Sequence, residues 1–406
     1  IEDIDFKKIS GFQKRKIFEL RDKKHIRVLF FISTSSKWKY EYLYKKMEES
    51  LFFDPIVFVV PMHSWGDEFM KKEHDKTYDF FNENGYKVFK TLEENGKFLN
   101  VKKKFSPDII FYSEPYDFVG DLYSIYNFYK DALCCHVQYS FQSDTYFENF
   151  YNLPFHNLLW TFFSETDIHK KYSQKYAFNK GMNVVVSGYP GIDVFLDKSY
   201  KSKYRGIEKK SKKHIIWAPH HSIDEKDGTS NFLEYADFMI EISKKYFDNI
   251  IISFKPHPNL KPRLYSHNDW GEKRTNLYFK KWESHENTQL FENDYVDLFL
   301  DSDALIHDSF SFMTEYLFVN KPICFIHKNG LNNDRWNIIG KLSLRYSYIA
   351  KEKKSILEFI ESVVLLGNDH KKSDRNKYLH KVLLPPNEKL ASENIINYIE
   401  KQLKQS

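Results

Sequence analysis

Only three cysteines occur in 406 residues. Cys134 and Cys135 are adjacent and Cys324 stands alone, which supplies neither a zinc-binding spacing nor a disulfide framework and points to a reducing, cytoplasmic setting. Glycine (14) and proline (13) are also sparse, excluding fibrous and low-complexity classes. No apolar run approaches the roughly 18 residues that cross a bilayer, and no signal peptide is visible. The chain opens at Ile1 instead of Met, so further residues upstream are expected. Also missing is any GxGxxG or P-loop glycine pattern, the usual means of wrapping a phosphate in backbone amides. Charge of one sign is not in large excess either. With 61 basic and 56 acidic residues the formal charge is +5, too balanced to call for a nucleic-acid partner.

What is present is apolar and aromatic. A hydrophobic content of 42%, with 18% aromatic residues, is ample for the cores of two or three domains. Strand-like runs alternate with helix-length segments: HIRVLFFIS (25–33), PIVFVVP (55–61), YKVFK (86–90) and DIIFYSEP (108–115), with a helix read over 37–50. The rhythm breaks across 162–181, read as the interdomain region. It resumes with NVVVSGYP (183–190), HIIWAPH (214–220), NIIISFKP (249–256), DALIHD (303–308) and PICFIH (322–327). Such alternation implies parallel, doubly wound sheets. The expected division is an N-terminal Rossmann-like, acceptor-side domain over 1–165, a nucleotide-donor domain over 166–350, and closing helices over 351–406 that pack across both. After WAPHHS a helix is well signalled, with Asn231 as cap, Glu234 three residues on, and Phe232, Ala236, Met239 and Ile240 on one face. Basic residues alternate with Phe, Ile and Leu over 6–27. That segment reads either as a helix lying on an anionic membrane surface, giving peripheral attachment to the inner face of the membrane, or as an ordinary solvated face.

Open α/β sheets bind ligands beyond the carboxyl ends of their strands, and here those ends carry histidines. His220 and His221 follow IIWAP, and His257, held between Pro256 and Pro258, follows IIISFK. Asp308, Ser309 and Ser311 follow ALIH at a helix start, and His136 follows an apolar run in ALCCHVQYSFQ. A strand, a polar turn and a helix start would aim backbone N–H groups and the two hydroxyls at a phosphate. Lys255, His257 and His221 would supply charge to a leaving phosphate without a metal. Glu315, one turn on, suits either ribose hydroxyls or the helix dipole. The DSD of 301–303 has the DxD spacing of metal-dependent sugar transferases, but it precedes a strand instead of ending one. No metal and no cofactor are therefore expected.

Four segments together, SGYPGID (187–193), IIWAPHHS (215–222), FKPHP (254–258) and LIHDSFSFMTEYLFVNKPICFI (305–326), resemble the motif series of the CDP-glycerol glycerophosphotransferases, the teichoic acid and capsule polymerase family. The resemblance covers roughly 130–330. It implies a GT-B-type fold of two Rossmann-like domains facing a central cleft, with the CDP-activated donor held C-terminally. It also implies transfer of an alditol phosphate to a hydroxyl of a lipid-linked or free surface polymer, with release of CMP. On that likeness His136 stands where the family carries its general base, and His257, Ser309 and Ser311 where it contacts the diphosphate. The same motifs bring Gly188, Pro219, His220, His221, Lys255, Asp308, Phe310 and Glu315 to the donor side. Rival readings on the same scaffold are a nucleotide-sugar glycosyltransferase, a nucleotide-sugar epimerase, and a non-catalytic module that binds glycan or nucleotide.

Overall fold

Runs such as IRVLFFI, apolar at nearly every position, suit strands covered on both faces, as parallel sheets require. In a computed structural model, which describes residues 4–62, 66–93, 95–115, 120–226, 228–292, 295–328, 331 and 333–404, these runs build two parallel α/β units. The first unit comprises the chain up to Phe141, Tyr146–Val194 and the segment from Leu383 onward. The second comprises Gln142–Thr145 and Phe195–Val382.

The first unit holds β1 (Ile26–Ile32), β2 (Phe53–Val59), β3 (Val88–Lys90), β4 (Ile109–Tyr112), β5 (Leu133–Val137), β6 (Thr161–Ser164) and β7 (Val184–Val186). Their order in the sheet is β3-β2-β1-β4-β5-β6-β7. The second holds β8 (Lys213–Ala218), β9 (Ile250–Phe254), β10 (Thr288–Leu290), β11 (Ala304–His307), β12 (Ile323–Ile326) and β13 (Tyr348–Ala350), ordered β10-β9-β8-β11-β12-β13. Every pairing is parallel. Strand order reverses between β1 and β4 in one sheet and between β8 and β11 in the other, and at such a switch point the flanking loops diverge and leave a crevice.

Each unit has its own core. Leu29, Phe31, Phe58, Ile110 and Phe128 cluster in the first, and Trp217, Phe232, Met239, Phe254 and Trp282 in the second. The three cysteines are buried free thiols.

The boundaries differ from those expected. The stretch 162–181 is no linker: β6 pairs with β5 and β7 with β6, so the first sheet continues past residue 165 and its unit extends to Val194. The closing segment divides as well. Helix Ala391–Lys404 belongs to the first unit, where Asp193 accepts hydrogen bonds from the amides of Ala391 (2.8 Å) and Ser392 (2.9 Å), while the helices over 353–378 belong to the second. Helix Phe6–Leu20, for which a membrane surface and an ordinary solvated face are the two readings, buries Ile9 and Leu20, and Ile9 joins the first unit's core. Lys16 and Lys23 both reach the buried carboxylate of Asp108, at 3.2 and 2.8 Å. Much of the segment's amphipathic pattern is thus accounted for by the protein's own interior. Among the described residues no helix is long and apolar enough to cross a membrane.

Candidate active site

The second sheet's switch point gathers the residues that the sequence singled out. Beyond β8, the Pro219 carbonyl accepts the His257 amide at 3.1 Å, tying the end of β8 to that of β9. The rings of His220, His221 and His257 then meet in a cluster, tilted against one another for His220–His221 and His221–His257 and edge-on for His220–His257. Centroids lie 4.1 Å apart for His220–His221 and for His221–His257, and 5.2 Å apart for His220–His257. Phe310 meets His220 edge-on at 5.4 Å, and the Arg335 guanidinium lies 4.3 Å over the Phe310 ring. All three imidazoles are half-buried.

Serine and backbone donors set the tautomers of His220 and His257. The Ser222 hydroxyl accepts from the amides of Thr229 (3.0 Å) and Ser230 (3.3 Å), which leaves its proton to be donated to His220 Nδ1 at 2.9 Å; the Ser222 amide reaches the same nitrogen at 3.3 Å. His257 Nδ1 accepts from the Asn259 amide at 3.1 Å, and His307 Nδ1, one strand over, from the Ser309 amide at 3.1 Å. A neutral imidazole whose Nδ1 accepts must carry its proton on Nε2. The rings are also held neutral. Burial, then the neighbouring His221 and His257 and the cations Arg263 and Arg335, depress His220. Burial, His221, Lys255 and Arg263 lower His257 to about 3, and burial with Arg263 lowers His221. The site therefore presents fixed N–H donors beside cations.

His220, His221 and His257 are also the one group among the described residues whose ligand atoms, all within 4.8 Å of one another, could hold a metal ion. Coordination through Nε2 would move a proton onto Nδ1, facing the backbone donors on His220 and His257. The arrangement fits an anion better than a cation.

Other expected site residues have different positions. Asp308 is 1% exposed; its two oxygens accept the amides of His220 and Asn231, each at 2.6 Å, so it anchors the 219–231 loop instead of meeting a ligand. Burial pushes its carboxyl up to about 7, against those amides. Glu315 is equally enclosed and accepts from the Tyr295 hydroxyl, which withdraws it from a ribose role. Ser309 and Lys255 are both buried at the same strand ends. Ser311 begins helix Phe312–Glu315 without a side-chain capping bond. That helix is a single turn, so an anion there would rely on hydroxyl and amide groups and not on a long dipole. Gly188 lies in the first unit, at φ +88°, where a Cβ would fall 2.5 Å from Pro385 Cβ; its glycine serves packing, not donor binding. The DSD acids are structural: Asp301 bonds His214 Nδ1 at 2.6 Å, and Asp303 bonds the His214 amide (2.8 Å) and Lys209 (3.2 Å).

His136 requires the largest correction. It lies inside β5 and not beyond it, is wholly enclosed, and bonds the Tyr112 carbonyl through Nδ1 at 2.8 Å among Phe155, His156 and Phe162. Burial lowers it to about 4, with the Tyr112 carbonyl and Gln138 opposing. The first sheet's switch point instead carries Glu114, 5% exposed, which accepts from Ser33 at the end of β1 and pairs with Lys37. Arg263, Arg335 and Ser222 were missed in the sequence. Arginines near strand-end histidines and aromatic residues were the available signal.

Two parallel-sheet α/β units of this kind define a GT-B fold. Among solved structures the chain is similar to the wall teichoic acid polymerase TagF (TM-score 0.63, 16% identity, covering 98% of this chain and 95% of that one). It is similar also to the UDP-GlcNAc 2-epimerase from Neisseria meningitidis bound to UDP-GlcNAc (0.55, 14%, 93% and 100%) and to S. aureus MnaA with UDP (0.56, 18%, 94% and 97%). No curated protein matches. The family model described as CDP-Glycerol:Poly(glycerophosphate) glycerophosphotransferase matches residues 156–401, well over half of the chain, and the chain belongs to that family.

Proposed function

We propose that this protein moves glycerol phosphate, or a related alditol phosphate, from a CDP-activated donor to a hydroxyl of a surface-polymer acceptor and releases CMP without a metal. The carrying observation is the set of neutral imidazoles at the ends of β8 and β9, their protons directed to Nε2 by backbone and serine donors, beside Arg263, Arg335 and Lys255. A diphosphate entering this group accepts hydrogen bonds and meets positive charge. The rings stay neutral in this contact, because their Nδ1 lone pairs are already taken by the Ser222 and Asn259 donors. The acceptor oxygen attacks the phosphorus bonded to glycerol, the bond from that phosphorus to the CMP oxygen breaks, and the negative charge gathers on CMP. Catalysis in such a transfer is chiefly positioning and electrostatics.

The test is ³¹P NMR of the purified chain with a polymer acceptor and, in turn, CDP-glycerol, CDP-ribitol and UDP-GlcNAc, with and without EDTA. CMP release from a CDP-alditol, unchanged by EDTA, is expected. Turnover of UDP-GlcNAc alone, by transfer or by epimerisation, would overturn the reading, and loss of activity in EDTA would overturn its metal independence.

A further inference from the structure

Away from the strand ends, the second unit carries an open groove of about 830 Å³ along helix Gly271–Ser284. Trp270 and Tyr278 form an aromatic floor, and four cations, Lys273, Arg274, Lys280 and Lys281, line it. All four are exposed, and among the described residues none is paired with a carboxylate. Nearby cations differ: Arg263 pairs with Glu225 at 2.8 Å and His267 meets Asp224 at 3.4 Å. Arg274 is held in place, its guanidinium 4.4 Å over Trp270 and one nitrogen donating to the Asp269 carbonyl at 3.0 Å. Leu277, 56% exposed, sits between the two cation pairs, which the helix rise sets about 10 Å apart. Asp237 and Asp269 complete the lining.

This mixture matches one kind of polymer. Cations suit phosphodiesters, carboxylates suit hydroxyl groups, and an aromatic and aliphatic floor suits the carbons between them. Direction matters as well. The crossover from β9 to β10 must return the chain to the start of the next parallel strand, so the helix begins near the carboxyl edge of the sheet and runs away from it. The groove thus leads off from the edge that carries His257.

We propose that this groove holds the finished part of a poly(alditol phosphate) chain at a site separate from the histidine cluster. The inference rests on the transfer reading for the polymer's chemistry. Its test is the binding of fluorescently labelled poly(glycerol phosphate) to the full chain, followed by anisotropy at low and high salt. Wild type binds, more weakly at high salt. Lys273→Glu/Lys281→Glu weakens binding at least tenfold, Lys273→Gln/Lys281→Gln weakens it in the same direction without reversed charge, and Lys273→Arg/Lys281→Arg retains it. Undiminished binding by the first two variants overturns the proposal. So does a loss confined to anionic phosphatidylglycerol vesicles with polymer binding intact, which would make the groove a membrane contact. Preformed polymer binds without turnover, so this result and CMP release from CDP-glycerol can fail independently.

Discussion

His257 owes its stiff backbone to the prolines on either side and its tautomer to one hydrogen bond from Asn259. Its side chain, half-buried and bonded only to Asn259, contributes little to the core. His257→Ala should therefore lower the rate of CMP release by about 10²-fold or more, as for a lost donor to developing charge, while stability shifts by less than about 1 kcal/mol. Initial rates and urea midpoints of the same preparation check both. The first unit reverses the pattern. His136→Ala empties a site walled by Phe155 and Phe162 and should cost about 2–4 kcal/mol. Glu114→Gln, which removes the buried charge that Lys37 pairs with, should cost about 1–3 kcal/mol. A His136→Ala protein of full stability and no turnover would make the histidine the base. The sequence shows residue types and neighbours but not depth. His136 and His257 both border apolar runs, and only the sheet register, which pairs Tyr112 with His136 within β4 and β5, shows that one is inside a strand and the other past its end.

At the scale of elements, strands lying in apolar runs were legible, even three-residue ones such as β3 and β7, and those outside such runs were not. The runs that became β1, β2, β8, β9 and β11 announce themselves because burial on both faces demands continuous hydrophobicity. β10 and β13 have three residues each and sit at sheet edges, and β6 lies in an aromatic passage without alternation, so periodicity carries little signal for them. The helix Phe232–Lys245 begins where Asn231 and Glu234 indicated, but not by the expected capping bond. Asn231 spends its side chain on the carbonyls of Thr229 (3.0 Å) and Ile326 (3.0 Å), while its amide goes to Asp308. Tertiary partners thus replaced the local cap, which no window of sequence could reveal. The loop over 219–231 accordingly depends on Asp308. Asp308→Asn keeps the shape but turns an N–H donor toward one of two backbone donors. It should cost about 1–3 kcal/mol and lower turnover by freeing His220. Thermal denaturation reads the first effect, and the ¹⁵N shifts of the His220 ring, moving from a single Nε2–H tautomer to a mixture, read the second.

At the scale of the whole molecule, these buried imidazoles couple stability to pH. In the unfolded chain they titrate near pH 6.5. Folded, His136 is lowered to about 4, His307 to about 3 and His156 well below its usual value, each chiefly by burial. Between the folded and unfolded values the unfolded chain binds more protons, so this contribution is complete above pH 6.5 and is lost as pH falls below it. Two buried carboxyls act in the opposite sense. Asp308, raised to about 7, and Asp193, raised to about 6, hold protons in the folded state that the unfolded state has released, so they favour folding as pH falls through those values. Each buried histidine contributes a slope of at most about 1.4 kcal/mol per pH unit, and His74, His214, His220, His221 and His257 are lowered in the same sense, so the histidines outweigh the two carboxyls. Urea unfolding should therefore show a net loss on the order of 3–8 kcal/mol between pH 7.5 and 5.5. His156→Leu should flatten that dependence by about 1 kcal/mol, because it removes one titrating ring from an aromatic pocket that accepts an apolar side chain. A pH profile unchanged by His156→Leu would mean that the ring already exchanges protons in the folded state, and that the interior around β5 is open to water.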